Sequence, residues 1–202
     1  MSELESISIL YNQVCTINLQ VFSNLPRLKR ITLCHNQIEE VKNKRSRDDS
    51  LCDFENVEFL DLNSNQIAQL DCTVFKNLSK LKELDISQNI ICSIEANSFA
   101  PLVNLIHLNL SENNLTEINT TTFNGLIHLQ TLDVSRNRIS LVKPKSFDEL
   151  SKLERLNLSH NKLTQLDASL IFKLNELDEV NLDGNACDRS VLLESNKRIR
   201  LE

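Results

Sequence analysis

The chain has 202 residues, of which 41% are hydrophobic and 25% are charged, and its formal net charge is −6. A chain with this charge creates no field that attracts phosphate backbones, so we expect no nucleic-acid partner. No apolar run approaches the roughly 18 residues of a membrane span, so we expect no membrane span in this chain. Its only two glycines, Gly125 and Gly184, exclude a glycine-rich phosphate-binding loop.

One motif recurs along nearly the whole chain, usually every 24 residues, following the rule LxxLxLxxNxLxxLxxxxFxxLxx. Its LxLxx part alternates apolar and polar residues, which predicts one short, half-buried strand per copy, followed by an irregular return. A single copy cannot bury its apolar edge, whereas stacked copies form a continuous core. The eight copies, numbered here as repeats one to eight, begin at Leu4, Leu28, Val57, Leu81, Leu105, Leu129, Leu153 and Leu177.

This rule resembles the typical leucine-rich repeat of animal proteins, and the resemblance covers residues 4 to 187. It implies an α/β fold: a horseshoe-shaped solenoid with a concave parallel β-sheet and an irregular or short-helical convex side. The unbroken repeat predicts a single domain over residues 1–202.

The first repeat begins almost at the start of the sequence. Extracellular members of the family usually shield their first strand with a cysteine-bearing cap, and no residue before Leu4 could supply one. No signal peptide opens the sequence either. We therefore expect this chain to be a trimmed or excised piece.

The second repeat departs from the common spacing, because Val57 follows Leu28 by 29 residues and five are therefore extra. We assign the excess to an insertion over residues 42–50, Lys42 to Ser50, a polar run without an apolar anchor that should loop out. A binding role for this loop stays open beside the view that it is a tolerated decoration.

Two columns of the motif are expected to lie inside the solenoid. The phenylalanine column predicts an aromatic stack under the convex side, with Ile171 in place of phenylalanine in repeat seven. An asparagine amide at the bend after each strand can donate and accept hydrogen bonds, so we predict that this column satisfies backbone groups left unpaired in the interior. Its members are Asn12, Asn36, Asn65, Asn89, Asn113, Asn137, Asn161 and Asn185.

The eighth repeat places Cys187 where leucine belongs, and residues 186–202 then leave the pattern. With one cysteine and no tryptophan, this segment is an incomplete version of the family's C-terminal cap. Val191, Leu192 and Leu193 are candidates for covering the last strand.

Repeat geometry restricts how the six cysteines can pair. Cys15 and Cys92 lie three repeats apart, about 14 Å at strand spacing, which exceeds the roughly 7 Å limit between bridged Cα atoms. Cys52 and Cys72 lie on the returns of adjacent repeats, so we predict a disulfide between them. Cys34 and Cys187 are interpreted as free thiols.

Five Asn-x-Ser/Thr sequons predict surface glycosylation and favour an extracellular location. The motif itself contains Asn-Leu-Ser in the form LNLSxN, which accounts for two of these sequons, at Asn109 and Asn157. The predicted glycosylation sites are Asn77, Asn109, Asn114, Asn119 and Asn157.

No residue pattern argues for catalysis, a metal or a cofactor. Ser87 and His107 could be assembled on paper into a hydrolase triad, but an open sheet supplies no buried, oriented base. A metal at Cys34, His35 and Asp61 lacks paired-ligand spacing. We predict a protein that is not an enzyme and needs no cofactor.

The predicted function is recognition of a protein or another macromolecule on the concave face. Within the family the chain resembles Toll-like receptor ectodomains and secreted insect leucine-rich-repeat immune proteins, which implies innate recognition or adhesion. A matrix-associated protein, as in small leucine-rich proteoglycans, is the alternative, and an intracellular interaction scaffold is the next. Whether the chain forms a homodimer or a heterodimer stays open.

We place the contact on repeats two to four, with Arg30, Phe59 and Lys82 as anchors, because glycans at Asn109 and Asn157 would obstruct a ligand farther along the sheet. The predicted ligand-binding residues are Arg30, His35, Phe59, Asp61, Lys82, Glu83, Asp85, Ile106 and His107.

Overall fold

A computed structural model of the chain describes residues 3–43 and 56–187, together with the backbone of residues 198–200. It contains short strands almost throughout. The strands are β1 (Ser6–Ser8), β2 (Thr16–Asn18), β3 (Arg30–Thr32), β4 (Glu40–Lys42), β5 (Phe59–Asp61), β6 (Gln69–Leu70), β7 (Glu83–Asp85), β8 (Ser93–Ile94), β9 (His107–Asn109), β10 (Glu117–Ile118), β11 (Thr131–Asp133), β12 (Leu141–Val142), β13 (Arg155–Asn157), β14 (Glu179–Asn181) and β15 (Arg198–Arg200).

Nine strands form one parallel sheet in the order β1-β3-β5-β7-β9-β11-β13-β14-β15, and the first eight come from the eight repeats in turn. Each central strand residue is in register with its counterpart in the next repeat, as in Leu84 beside Leu108 and Leu132. From repeat two to repeat eight these central residues are buried. The predicted fold class and repeat register are confirmed, because a strand's alternating side chains put the motif leucines inside and their neighbours outside.

The returns carry little regular structure. Three two-stranded parallel pairs, β2-β4, β6-β8 and β10-β12, run along the side of the solenoid. Leu19–Phe22 forms a 3₁₀ turn, and α1 (Ala168–Phe172) is a single short helix whose N-cap, Asp167, accepts a hydrogen bond from the Ser169 N–H. No helix in the described part of the chain is long and apolar enough to cross a membrane.

The phenylalanine column forms the predicted aromatic stack. Ring centroids are separated by 5.6 Å between Phe75 and Phe99, 6.4 Å between Phe99 and Phe123, and 6.2 Å between Phe123 and Phe147. In repeat seven Ile171 fills the buried position, whereas Phe172 is 45% exposed. The column is therefore part of the core.

The buried asparagines of this column form an inner ladder, which we define as Asn36, Asn65, Asn89, Asn113, Asn137 and Asn161. In a typical rung, Asn113 Nδ2 donates to the carbonyls of Ile86 (3.0 Å) and Leu110 (3.1 Å), and Oδ1 accepts from the Ile91 N–H (2.9 Å). Each amide thus joins its own turn to the preceding repeat. The predicted structural role of this column is confirmed.

The residue before each column asparagine has a left-handed backbone, which the sequence analysis did not predict. Seven of these residues are not glycine, and their φ angles lie between 52° and 55°, as in His35 and Gln88; the eighth, Gly184, has φ 67°. Such angles are disfavoured for residues with a Cβ, and the asparagine bonds hold the turn in this conformation.

The predicted start of the insertion, at Lys42, lies two residues too early in the sequence. Lys42 ends strand β4, and the Asn43 side chain is buried, donating to the carbonyls of Val74 (3.1 Å) and Lys76 (2.6 Å) and accepting from Gln20. These two residues belong to the packed return, because an amide can satisfy carbonyls of the next repeat as an apolar residue cannot. Residues 44–50 lie outside the described part of the chain.

The C-terminal segment contains a strand that the sequence analysis missed. β15 pairs in parallel with β14, with Val180 beside Ile199 in the register. The predicted covering residues Val191, Leu192 and Leu193 lie outside the described residues. Cys187 packs against the core, as its column predicted.

Candidate ligand-binding face

The sheet brings most of the predicted binding residues together on adjacent strands. Arg30, Phe59, Glu83 and His107 are consecutive register partners across β3, β5, β7 and β9. Their strand-mates Asp61 and Asp85 form the parallel row. These side chains share one surface because they flank the buried central residue of each strand.

His35 lies apart from this group. It occupies the left-handed turn beyond β3, where its ring stacks on Tyr11 with centroids 4.5 Å apart and an interplanar angle of 7°. Tyr11 is 76% exposed. The stack forms a separate aromatic patch at the edge of repeats one and two.

Arg30 and Phe59 form a cation–π pair. The Arg30 guanidinium carbon lies 3.8 Å from the centroid of the Phe59 ring. Arg30 is exposed and Phe59 is half-buried, so the pair presents a flat guanidinium on an aromatic base. Stacking restricts the rotamers of both side chains before any ligand arrives.

Lys82 is paired with a carboxylate of the preceding repeat. Its Nζ donates to Glu58 Oε2 at 2.7 Å, and this hydrogen bond lowers the pKa of the Glu58 carboxyl. Both side chains remain well exposed, at 51% and 39%. A ligand that uses Lys82 must therefore share it with Glu58 or displace that contact.

An outer ladder, defined here as Asp61, Asp85, Asn109, Asp133 and Asn157, runs along the exposed side of the sheet. Each Oδ1 accepts a bond from the backbone N–H two residues later, as in Ser87 N to Asp85 at 2.9 Å. Asn109 Nδ2 also donates to Asp85 Oδ2 (3.1 Å), and Asn157 Nδ2 to Asp133 Oδ2 (2.9 Å). A cavity of about 310 Å³ there holds four carboxylates, those of Asp61, Glu83, Asp85 and Asp133.

The serines and the cysteine of this face have structural partners. Ser87 Oγ donates to Asp85 Oδ1 at 2.6 Å within its own turn. Burial raises the pKa of the Cys34 thiol, and the charge of Asp61 with its hydrogen bond to the thiol raises it further. Within residues 3–43 and 56–187, no group of three or more His, Cys, Asp or Glu side chains is arranged to hold a metal ion.

The predicted glycosylation sites fall into two groups. The amides of Asn109 and Asn157 are tied to aspartates of the outer ladder, whereas Asn77, Asn114 and Asn119 are half-buried on the returns. Asn119 Nδ2 donates to Glu117 Oε1 at 3.0 Å. Glycosylation at all five sites stays a prediction.

The predicted disulfide also stays a prediction. Cys72 is an exposed free thiol in the structure, and Cys52 lies outside the described residues. Cys15 and Cys92 are exposed free thiols as well.

Sequence analysis missed a trough of about 740 Å³ on the concave side. It lies at the amino-terminal ends of the strands, and of the predicted binding residues only Lys82 and Ile106 line it. Its other residues occupy columns that the motif leaves unspecified, so only the alignment of neighbouring repeats could have revealed it.

Comparison with known proteins supports the repeat assignment. A family profile described as leucine rich repeat matches residues 55–115, 91–139, 104–163 and 127–186. Among solved structures, the crystal structure of a TLR13–ssRNA13 complex matches with a TM-score of 0.86 and 29% sequence identity, over 98% of this chain and 29% of the matched chain. This chain thus corresponds to less than a third of that protein's length. A search of curated proteins found no match.

One expectation from composition has to be corrected. The matched TLR13 structure contains single-stranded RNA, so net charge does not exclude nucleic acid as a partner of this fold. A ligand contacts a local surface, and basic side chains can cluster on a chain of negative net charge.

The structural and sequence comparisons agree on the family. The repeat register, the parallel sheet, the two internal columns and the profile matches show that the chain belongs to the leucine-rich-repeat family.

Proposed function

We propose that this chain is an extracellular recognition module, of innate-immune or adhesion type, that binds a macromolecule on repeats two to four of its concave face. The observation that carries the proposal is the Arg30–Phe59 pair. Phe59 is the only apolar residue at the first strand position of the eight repeats, where the motif demands none.

Two properties suit this pair to recognition. Arginine and aromatic side chains dominate binding hot spots, because they combine a large contact area with few rotamers to lose. The stacking holds the Arg30 and Phe59 side chains in one arrangement before a ligand binds, and the hydrogen-bonded sheet below them keeps the strands fixed. Glu83, on β7, and Lys82, which precedes that strand, add charged groups around the Arg30–Phe59 pair.

Family membership supports an interaction scaffold, since stacked repeats present an extended binding surface. Five sequons and the likeness to a TLR13 structure support the extracellular location. For the chain expressed through a secretory pathway, mass analysis with and without reduction should show attached glycans and a Cys52–Cys72 peptide. Unmodified asparagines and freely alkylated cysteines would favour the intracellular scaffold.

The binding proposal is tested on an array of extracellular proteins that also carries single-stranded RNA. For any ligand of the wild type, Phe59→Ala and Arg30→Ala should each weaken binding by more than about 1 kcal/mol with a nearly unchanged melting temperature. Glu179→Ala, at the first position of β14, is the matched control and should bind as the wild type does. Loss of affinity only with changes at Asn157, Asp178 or Glu179 would place the site at the other end of the arc.

A further inference from the structure

The trough at the amino-terminal ends of the strands is built from two rows of side chains. The first row comes from the residue after the first leucine position of repeats three to seven. The members of this row are Glu58, Lys82, Ile106, Gln130 and Glu154.

The backbone of this first row is rigid. The N–H of Ile106 donates to the Lys82 carbonyl at 2.8 Å, and the N–H of Gln130 donates to the Ile106 carbonyl at 2.9 Å. Comparable bonds join Lys82 to Glu58 and Glu154 to Gln130. The row therefore continues the parallel sheet beyond the strands, and its side chains are held at a regular spacing.

The second row precedes the first leucine position of repeats four to eight. Neighbour contacts fix part of it: Lys80 Nζ donates to Asn56 Oδ1 at 2.7 Å, and Asn104 Nδ2 donates to the Ser79 carbonyl at 2.8 Å. Its members are Lys80, Asn104, His128, Lys152 and Glu176.

The two ends of the trough differ in charge. At the end formed by repeats three and four, Lys80 and Lys82 outnumber the single carboxylate of Glu58. At the other end, Glu154 and Glu176 outnumber Lys152. The trough is thus positive at one end and negative at the other.

Residues just outside the trough adjust this polarity without reversing it. Arg155 Nη1 lies 3.7 Å from Glu154 Oε2, so the guanidinium partly offsets the charge of that carboxylate. Asp178 and Glu179, in the next repeat, add negative charge at the same end. The difference between the two ends is therefore retained.

The centre of the trough is uncharged and partly apolar. Ile106 lies between Lys82 and Gln130 in the first row and is half-buried, although the motif requires no apolar residue there. Asn104 and His128, the central members of the second row, are uncharged in their neutral forms and flank Ile106.

We propose that this trough binds an extended segment of a partner protein that is acidic at one end, apolar in the middle and basic at the other. The proposal rests on the proposed recognition function and names the chemistry of the ligand. Each row of five side chains spans four strand intervals, which is about 19 Å, or roughly six residues of an extended chain. A nucleic acid fits less well, because its uniform negative charge would meet Glu154 and Glu176 at one end.

The test uses a phage-displayed library of random dodecapeptides selected on the immobilised full chain. The enriched sequences should share acidic, apolar and basic blocks in linear order, in either direction. Selection without such a pattern overturns the proposal.

The most enriched peptide is then synthesised with a fluorescent label and its Kd measured by polarisation. Ile106→Asp, the pair Lys80→Glu with Lys82→Glu, and the pair Glu154→Lys with Glu176→Lys should each weaken binding at least tenfold. Lys143→Glu, a charge reversal on the half-buried residue that follows β12, is the matched control and should leave the Kd within twofold. The two charge-reversed pairs keep the test valid should Ile106→Asp fail to fold.

Two results separate this proposal from the proposed function. A partner that depends on Arg30 and Phe59 but is insensitive to all three trough variants overturns the trough and leaves the proposed function standing. Peptide binding with the expected pattern, while no partner responds to Phe59→Ala, supports the trough and overturns the Arg30–Phe59 contact. A twelve-nucleotide single-stranded RNA that binds the trough in an Ile106-dependent manner, in place of the peptide, also overturns the proposal.

Discussion

The inner ladder lies buried in the turns after the strands and the outer ladder on the exposed side of the sheet, yet only the inner ladder has the same residue at every position. An inner amide must donate two hydrogens and accept one, as Asn113 does, so aspartate cannot replace it. The outer turn needs only one oxygen, which Asp85 and Asn109 supply equally well. Burial therefore dictates identity inside, whereas the outer positions can vary with the ligand.

A change in the apolar layer under the sheet should have the greatest effect on stability. Leu108 is 1% exposed at the centre of β9, and Leu108→Ala should lower the free energy of unfolding by about 2–5 kcal/mol, because it leaves a cavity. Urea denaturation would measure the loss. A cost below about 1 kcal/mol would show that the layer is not close-packed.

A change in the inner ladder should follow in size. Asn113→Ala strands the Ile91 N–H in the interior and should cost about 1–3 kcal/mol. Asn114→Ala is the matched control, because this neighbouring asparagine is half-buried outside the ladder. Equal shifts of the two urea midpoints would contradict the assigned role of the inner ladder.

The outer ladder should tolerate substitution better. Asn109→Asp removes the bond to Asp85 and places a third carboxylate between Asp85 and Asp133, which should cost up to about 1 kcal/mol at pH 7. A salt concentration of about 1 M should reduce this cost, because it screens the repulsion. A loss as large as that of Asn113→Ala would remove the distinction between the ladders.

The smallest expected effect concerns the exposed Lys82–Glu58 pair. Because the hydrogen bond from Lys82 lowers the pKa of Glu58, the pair stabilises the fold above the unfolded-state pKa, and its contribution is lost as pH falls through the folded-state pKa. Lys82→Met should therefore cost about 0.2–0.5 kcal/mol at pH 7 in low salt, and nothing once Glu58 is protonated in both states. Thermal unfolding across pH 2–7, repeated in 1 M salt as a screened control, would measure it. A cost that grew on acidification would contradict the assigned pairing.

The candidate site was predictable in its position but not in its contacts. Alternation within each strand was enough to place Arg30, Phe59 and Glu83 outside and on one surface. The Arg30–Phe59 stack and the Lys82–Glu58 bond depend on which residues adjacent repeats place side by side, nearly 30 and 24 residues apart. The trough escaped prediction for the same reason, since its lining comes from five repeats.

The repeat register, the buried leucines and the two internal columns follow from the amino-acid sequence alone, because a periodic pattern of polarity specifies which side chains leave water. Three features became visible only in the folded chain: the left-handed turn before each asparagine, the packing of Lys42 and Asn43 into the return, and the pairing of β15 with β14. Each of these features depends on hydrogen bonds to a neighbouring repeat. Such partners are distant in sequence and are brought within reach only when the repeats stack.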